Sequence, residues 1–269
     1  MTKDIESIPL LVFTGDTRDR GLFAENHDVY RWGRCWIDRL PRQWWDGEPW
    51  MLDNGAFRAW RKKEEWRSDL FLRRLRRAVE VPGCYMVVLP DVVGDAEATL
   101  ALSAEWLEIL WAEFGDLPYY FVTQDGMRAD DPRLEAILDD PRVKGVFLGG
   151  TDDHKWEAPA WAEEAHRRGK RFHFGRSSTS QKLALAMCST ADSCDTAFWL
   201  MNGQARENGI RDMARQGVSS TAAPVDWAEQ QRAVDAANQR SRARYAAEAL
   251  AAEQDIEQLE LTFTLEIAA

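Results

Sequence analysis

Polar residues and a glycine pair recur at the ends of short apolar runs in this 269-residue chain. The positions are Asp53, Asp91, Gln124, Gly149, Gly150, His173 and Asp195. A carboxylate at a strand end can act as a nucleophile, as a general base or as a hydrogen-bond acceptor for a ligand. The alternative role of each aspartate is to cap the helix that follows. Three such aspartates beside a glutamine and a Gly-Gly pair favour one ligand site over three separate caps.

The elements that must position these residues are strands in a repeating pattern. The runs are LDNGAF (52–57), YMVVLPDVVGD (85–95), YYFVTQDG (119–126), VKGVFLGGT (143–151), RFHFGRSST (171–179) and ADSCDTAFW (191–199), with IPLLVFTGD (8–16) as the first strand. Runs of this length and composition predict buried strands, and helical stretches separate most of them. The alternation predicts an α/β fold, a (β/α)8 TIM-type barrel, whose catalytic groups gather at the carboxyl ends of the strands.

The length fits a single barrel domain over residues 1–269. Residues 17–50 are Trp-rich and broken by Pro and Gly, which predicts an irregular insertion that packs on or caps the barrel. Helical patterns cover 61–80, 96–114, 131–140, 154–168, 179–190 and 204–217. Residues 225–255, rich in Ala, Gln and Arg, predict one long C-terminal helix.

The net charge of −11 argues against strong nonspecific binding of nucleic acid, which requires Lys and Arg at the phosphates. The basic residues are unevenly placed, however, with one cluster over 58–77 and a second over 167–176. Each cluster is either a solvated helix face or a local basic surface on an acidic protein.

The four cysteines form no Cys-x-x-Cys pair, and no histidine stands at a ligand-like spacing from two of them. We therefore expect no metal site and no cofactor. Unpaired cysteines fit a reducing cytoplasm. The N-terminus lacks the apolar region of a signal peptide, and no run approaches the ~18 apolar residues of a membrane span. We expect a cytoplasmic protein with no membrane partner.

The order DNGAF, PDVVGD, VTQDG, FLGGT, RFHFGR and ADSCDT resembles the catalytic barrel of the tRNA-guanine transglycosylases. It is closer to the shorter bacteriophage relatives that insert 7-deazaguanines into DNA. The resemblance runs from about residue 50 to 200, with the motifs collinear throughout. Each motif alone is weak, but six in order are fairly specific.

The resemblance implies a role for each matching residue. Asp195 matches the aspartate nucleophile that attacks C1′ of the target nucleoside, and Asp53 matches the aspartate that handles protons during base exchange. Phe57 matches the aromatic residue that stacks on the purine. Two further sets match groups around the base: Asp91 and Gln124 at the guanine edge, and the pair Gly149 and Gly150 where the backbone approaches the base.

The chemistry of these side chains fits the implied roles. Guanine presents N1–H and N2–H donors that suit an ionised Asp91, and Gln124 can both donate and accept. A nearby carboxylate favours cleavage of a glycosidic bond through an oxocarbenium-like transition state. His173 either contacts substrate or packs as a hydrogen-bonded histidine under the pocket. Arg176 contacts a phosphate or a base, or else forms a surface ion pair.

The chain departs from the tRNA enzymes after the nucleophile. Those enzymes carry a zinc subdomain with a Cys-x-Cys-x-x-Cys pattern and a His, whereas no Cys or His follows Cys194 here. They also carry a basic Pro-Thr-Arg segment where this chain has AFWLMNG. Both differences favour DNA over tRNA as the substrate, with the target base flipped out or met single-stranded.

The sequence therefore predicts a pentosyltransferase that replaces guanine in DNA by a free 7-deazaguanine base of the preQ0 type. Its partners are DNA and that base, and a protein that presents the DNA is a further possibility. The alternatives are exchange on tRNA, hydrolytic base removal and a non-catalytic purine- or nucleic-acid-binding module. A metal-dependent hydrolase using Asp53 and Asp91 is disfavoured, since no His or Glu accompanies them at these strand ends.

Overall fold

Eight parallel strands form a closed barrel in which neighbours follow chain order. The strands are β1 (Leu11–Thr14), β2 (Arg31–Trp36), β3 (Trp50–Leu52), β4 (Cys84–Val88), β5 (Tyr119–Thr123), β6 (Val143–Leu148), β7 (Arg171–Phe174) and β8 (Ser193–Asp195). The sheet closes where β1 pairs with β8, with Phe13 opposite Asp195. The predicted (β/α)8 TIM-type barrel is confirmed.

The structure is a computed structural model and describes residues 10–15, 31–37 and 49–196. These ranges belong to one unit spanning Met1–Val218, and a second unit, Ser219–Ala269, lies outside them. The helices predicted over 204–217 and 225–255 also fall outside the described residues.

Helices connect the strands on the outside of the barrel. They are α1 (Ala56–Lys62), α2 (Ser68–Ala78), α3 (Ala96–Phe114), α4 (Glu135–Asp139), α5 (Ala158–Arg167) and α6 (Ser180–Cys188). Short 3-10 helices, Pro132–Leu134 and His154–Glu157, precede α4 and α5. The helix predicted over 61–80 is two helices, because the chain takes a left-handed conformation at Lys63, with φ 56°.

Residues 31–36 correct the prediction of an irregular segment over 17–50, since they form β2 and pair with both β1 and β3. The sequence RWGRCW does not predict this strand, because two arginines and a glycine interrupt the apolar pattern. Gly33 is required by packing: a Cβ there would lie 2.5 Å from the Phe13 ring and 2.8 Å from the carbonyl oxygen of Pro49. The small residue lets the Phe13 side chain pack inside the barrel.

Both faces of the strands are buried, which explains their near-continuous apolar runs. One cluster groups apolar side chains on one face of the strands: Leu11, Phe13, Cys35, Met51, Met86, Val88, Tyr120, Val122 and Phe147. A larger cluster packs alternating strand residues, such as Val12 and Leu52, together with helix residues such as Phe71 and Leu107. The polar residues of interest follow directly after these buried strands.

Candidate active site

The turn after β3 places two polar side chains at the mouth of the barrel. Oδ1 of Asp53 accepts from the backbone N–H of Gly55 at 2.6 Å, and Oδ1 of Asn54 accepts from that of Ala56 at 2.7 Å. Gly55 has φ 81°, the left-handed conformation that glycine adopts without strain. The sequence DNG thus folds as two successive Asx turns that start α1 and hold Asp53 at the strand end.

Asp91 and Gln124 meet in a hydrogen-bonded network that Asn54 completes. Oδ1 of Asp91 accepts from Nδ2 of Asn54, and Oδ2 accepts from Nε2 of Gln124, both at 2.6 Å. Oε1 of Gln124 accepts from the N–H of Gly94 at 3.0 Å, which fixes the orientation of the amide. Gln124 is 2% exposed. Asn54, which the sequence pattern does not single out, also donates to the carbonyl of Leu89 at 2.7 Å.

Burial chiefly raises the pKa of Asp53 from its usual 3.8 to about 7. The negative charges of Asp195 and Asp91 raise it further, whereas the Gly55 N–H and the charge of Arg176 oppose the shift. A carboxyl group with this pKa exchanges protons readily near neutral pH, as a general acid or base requires.

Burial also raises the pKa of Asp91, to about 6. The hydrogen bond from Asn54 and the positive charges of Arg176 and Lys155 limit this rise. Asp91 is therefore mainly ionised at neutral pH and can accept hydrogen bonds from a ligand.

Because the pKa of Asp53 is raised, we expect the free energy of unfolding to depend on pH. Between about pH 4 and pH 7 the folded protein keeps a proton on Asp53 that the unfolded chain has released, so stability falls as the pH rises through this window. Asp53→Asn keeps the acceptor for Gly55 but carries no charge. We expect it to raise the free energy of unfolding by about 1–3 kcal/mol at pH 8 and to have little effect near pH 4. Urea unfolding at both pH values measures the difference, and an equal gain at the two pH values would contradict it.

The atoms around the glycine pair after β6 leave no space for a side chain at either position. A Cβ on Gly149 would lie 2.5 Å from the Thr123 carbonyl oxygen and 2.6 Å from Cγ1 of Val122, both on β5. Gly150 has φ 70°, and a Cβ there would lie 2.8 Å from Cδ2 of His154. Glycine is therefore required at both positions, and both glycines line the pocket.

We expect Gly149→Ala to weaken the binding of a ligand in the pocket at least tenfold. Its Cβ must displace the end of β5, and with it Gln124, at a stability cost of about 1–3 kcal/mol. Gly169→Ala is a matched control, because Gly169 has φ 67° but nothing within 4 Å of its added Cβ. Gly169→Ala should lower the free energy of unfolding by about 1–2 kcal/mol through backbone strain and leave ligand binding unchanged. Calorimetric titration with guanine, beside thermal unfolding, separates the two effects, and equal affinities would contradict the role of Gly149.

Asp195 ends β8 and is held by two donors on one oxygen. Its Oδ1 lies 3.1 Å from Nε2 of His173 and 2.9 Å from the backbone nitrogen of Arg176. The side-chain hydrogen bonds of Asp195 within the described ranges fall on Oδ1 of the carboxylate, which leaves Oδ2 for chemistry. Burial acts to raise the pKa of Asp195, but the His173 contact, the Arg176 N–H and the charge of Lys155 outweigh it, so the pKa is lowered. Asp195 is a carboxylate at neutral pH.

His173 packs beneath the pocket, which is the second of the two positions expected for it, and it does not line the pocket. It is fully buried, stacks on Phe147 with ring centroids 4.6 Å apart, and lies 2.8 Å through Nδ1 from Oγ of Ser193. Burial lowers its pKa, so the ring is neutral. We infer the tautomer in which Nε2–H donates to Asp195 and Nδ1 accepts from Ser193. The histidine therefore orients the carboxylate from beneath the pocket and is absent from the pocket lining.

Arg176 connects the two sides of the pocket. Its guanidinium lies over the Phe57 ring, 4.0 Å from the centroid, and donates through Nη2 to the carbonyl of Gly150. Arg176 has φ 56°, a conformation that an arginine adopts only when its surroundings hold it there. Cation–π contacts of this kind contribute about 0.5–2 kcal/mol.

These elements enclose a pocket at the carboxyl end of the barrel with about 420 Å³ of open space. Of the predicted residues, its lining includes Asp53, Phe57, Asp91, Gln124, Gly149, Gly150 and Arg176. Asp195 stands beside the pocket, joined to it through the backbone of Arg176. The residues expected from six separate motifs are thus brought to one site, except for His173, which lies beneath it.

Lys155 is a second residue near the pocket that the sequence pattern does not single out. It is 1% exposed, donates to the carbonyl of Leu148 at the end of β6, and lies 5.5 Å from the centroid of the Phe174 ring. Burial, followed by the charge of Arg176, lowers its pKa well below the usual value. No signal in the sequence HKWE distinguishes it from a surface lysine.

Two aspartates outside the pocket have structural roles. Asp95 caps α3, accepting from the N–H of Ala98 at 3.0 Å. Asp192 lies at the opposite end of β8 from Asp195 and accepts from the N–H of Phe172 at 2.7 Å. Within the described ranges, no group of three or more His, Cys, Asp or Glu side chains is placed to hold a metal ion. The same part of the chain contains no helix long and apolar enough to cross a membrane.

Comparison with known proteins adds little beyond the fold. No protein-family model and no curated protein matches the chain. One similar solved structure is an HpcH/HpaI aldolase from Desulfitobacterium hafniense DCB-2, at 10% identity and a TM-score of 0.42, covering 77% of this chain and 93% of the aldolase. A likeness of this degree transfers no function, and the fold rests on the closed barrel of eight strands.

Proposed function

We propose that this protein is a pentosyltransferase that exchanges guanine in DNA for a 7-deazaguanine through a covalent aspartyl-nucleoside intermediate. The observation that carries the proposal is a pair of carboxyl groups at one barrel mouth with opposite pKa shifts. The pKa of Asp195 is lowered, and that of Asp53 is raised to about 7. Paired carboxyl groups whose pKa values are pushed apart commonly divide into an ionised nucleophile and a proton donor.

The first half of the reaction removes guanine. Oδ2 of Asp195 attacks C1′ as the C1′–N9 bond breaks, and the electron pair of that bond leaves with the base. The protonated carboxyl group of Asp53 gives its proton to the departing guanine, which leaves neutral. His173 and the Arg176 N–H keep the attacking carboxylate in place through its other oxygen.

The second half reverses these steps with a different base. The incoming 7-deazaguanine gives its N9 proton to the carboxylate of Asp53 and attacks C1′ through N9. The bond from C1′ to Asp195 breaks, and the carboxylate is regenerated. Asp53 ends protonated, as it began, so the cycle needs no added acid, base or oxidant.

The network in the pocket suits the hydrogen-bonding edge of guanine. Asp91 accepts from amides of Asn54 and Gln124 and has further lone pairs for N1–H and N2–H of the base. Gln124 uses one hydrogen of Nε2 for Asp91, so its second hydrogen is available for O6. Adenine would present an acceptor, N1, to the carboxylate of Asp91, and a buried unmatched pair of this kind discriminates strongly.

In the proposed complex Phe57 stacks on the base, and without substrate Arg176 covers one face of its ring. A purine that stacks on that face must displace the guanidinium, which can then move toward the base or the adjoining phosphate. The proposal thus gives Arg176 a substrate contact in the complex and a contact with Phe57 in its absence.

Labelled guanine tests the proposal. The protein is incubated with duplex DNA, single-stranded DNA or tRNA together with radiolabelled guanine, and acid-insoluble label is counted. We expect label in DNA, since guanine itself is a reversible substrate for exchange. Label in tRNA alone would contradict the assignment of DNA, and label in neither would contradict base exchange.

A further inference from the structure

The side-chain amide of Asn54, in the turn after β3, uses all of its hydrogen atoms on protein partners. Asn54 is 4% exposed. Its Nδ2 donates to the carbonyl oxygen of Leu89 at 2.7 Å and to Oδ1 of Asp91 at 2.6 Å. Its Oδ1 accepts from the backbone N–H of Ala56 at 2.7 Å. An amide nitrogen carries two hydrogens, so none is left for a ligand.

These partners also fix which way the amide points. With the amide turned over, its oxygen would face the Leu89 carbonyl and the Asp91 carboxylate, and its nitrogen would face the Ala56 N–H. Acceptors would then meet acceptors and donors would meet donors in a buried place. The backbone is held as well, since the carbonyl oxygen of Asn54 accepts from Nε1 of Trp66 at 2.8 Å, and Trp66 packs against the hydrophobic core. Asn54 is therefore a fixed donor.

Asp91 receives an amide donor on each of its carboxylate oxygens. Asn54 donates to Oδ1 and Gln124 donates to Oδ2, each at 2.6 Å. A rotation of the carboxylate would break both hydrogen bonds, so the two donors fix its plane. Each oxygen keeps a second lone pair, and Asp91 lines the pocket. The carboxylate thus offers two acceptors, side by side, in one fixed orientation.

A ligand that matches two fixed acceptors carries two neighbouring N–H donors on one edge. Guanine has such a pair in N1–H and N2–H, whereas hypoxanthine has N1–H beside a C–H. Hypoxanthine would leave one oxygen of Asp91 without a partner, and a buried site discriminates strongly against such a loss. The orientation of this carboxylate therefore decides between two purines that differ by one amino group.

We propose that Asn54 is a positioning residue that sets the specificity of the pocket for purines with two adjacent N–H donors. The inference rests on the proposed function for its choice of guanine as the ligand. Asn54 acts through Asp91 and does not bond to the base, because its amide hydrogens are already used. Without Asn54 only Gln124 would hold the carboxylate, through one oxygen, and the second acceptor would lose its fixed position.

The hydrogen bond from Asn54 also favours the ionised form of Asp91. Burial raises the pKa of Asp91 to about 6, while this hydrogen bond and the charges of Arg176 and Lys155 act in the opposite direction. Asp53 is a neighbouring acid whose own pKa, about 7, is raised in part by the charge of Asp91. Removal of Asn54 should therefore raise the pKa of Asp91, so that the carboxylate is lost at a higher pH.

Equilibrium dialysis with radiolabelled guanine or hypoxanthine, in the absence of DNA, tests the proposal. Asn54→Ala should raise the Kd for guanine about tenfold and that for hypoxanthine less than about threefold, so the preference for guanine falls. A merely structural role would weaken the binding of both bases equally. The matched control is Asp131→Ala, which also removes a side-chain acceptor at the start of a helix, for the N–H of Arg133 at 3.0 Å, outside the pocket lining. It should leave both Kd values unchanged.

The pH dependence of guanine binding gives a second readout. In an Asp53→Asn background, which removes the neighbouring acid, binding should weaken as the pH falls through the pKa of Asp91, with a midpoint at about pH 6. Adding Asn54→Ala should move this midpoint upward by about one pH unit. Asn54→Asp keeps an acceptor for the Ala56 N–H, and with it the turn, but brings a second carboxyl group beside Asp91. It should also move the midpoint upward.

Equal losses for guanine and hypoxanthine in Asn54→Ala and Asn54→Asp would overturn the proposal. So would a pH midpoint that neither variant moves, or a wild-type protein that does not bind guanine. No DNA is present in these measurements, so they are separate from the test of base exchange. Exchange can fail while discrimination between the two bases still depends on Asn54, and exchange can proceed in Asn54→Ala with the wild-type preference.

Discussion

Asp195→Ala should abolish base exchange, with a fall in kcat of at least about 10³-fold. The carboxylate is the group that bonds to C1′ in the proposed mechanism, and loss of a nucleophile typically costs this much or more. Its lowered pKa keeps it ionised at neutral pH, and its two donors, His173 and the Arg176 N–H, fix its orientation. Incorporation of labelled guanine into DNA measures the loss.

Asp195→Asn distinguishes a nucleophile from a structural residue. The amide oxygen still accepts from His173 and from the Arg176 N–H, but the side chain cannot displace the base. It should be as inactive as the alanine variant while unfolding at the wild-type temperature. Asp192→Asn, directly before β8, is the matched control: it keeps an acceptor for the Phe172 N–H and should retain activity within about threefold. An active Asp195→Asn would contradict the covalent mechanism.

Asp53→Asn should lower the rates of both half-reactions, guanine release and base capture, by about 10²- to 10⁴-fold. This is the usual contribution of general acid–base catalysis. Release of guanine requires the protonated acid, so in the wild type it should slow above about pH 7. Capture of the incoming base requires the carboxylate, so it should slow below that pH. These opposite trends follow from a pKa of about 7 for this group.

Single-turnover measurements of guanine release and of base capture across the neutral range test this account. Asp53→Asn should lose both pH dependences together. Asp95→Asn serves as the control, because an asparagine also caps α3 and leaves the pocket unchanged. A variant Asp53→Asn whose rates keep the wild-type pH dependence would assign the proton transfers to another group.

The sequence is enough to predict the barrel and the meeting of most site residues. Parallel strands present their carboxyl ends at one rim, so Asp53, Asp91 and Gln124 must gather once the strands are recognised. β2 escapes recognition because Gly33 and two arginines break its apolar pattern. Its glycine is explained by contacts distant in sequence, the Phe13 ring on β1 and the carbonyl oxygen of Pro49.

The parts of the site that depend on contacts distant in sequence cannot be read from local pattern. Asn54 reads as a turn residue, and its bond to Asp91 exists because β3 lies beside β4. His173 alternates inward on β7, yet only the position of β8 sets it beneath Asp195 rather than in the pocket. The Lys155 side chain is buried because β6 and β7 end beside it. The strand pattern predicts where along the chain the site residues lie, whereas the closed sheet determines which side chains they contact.

The most direct test of covalent base exchange is to trap the intermediate. The protein is incubated with a guanine-containing DNA oligonucleotide and no free base, then separated on a denaturing gel and analysed by intact mass. We expect a protein–DNA adduct whose mass lacks one guanine, formed by the wild type and by Asp192→Asn and absent from Asp195→Asn. Adding the 7-deazaguanine base should release modified DNA from it. An adduct that persists in Asp195→Asn, or guanine release with no adduct at all, would contradict Asp195 as the nucleophile.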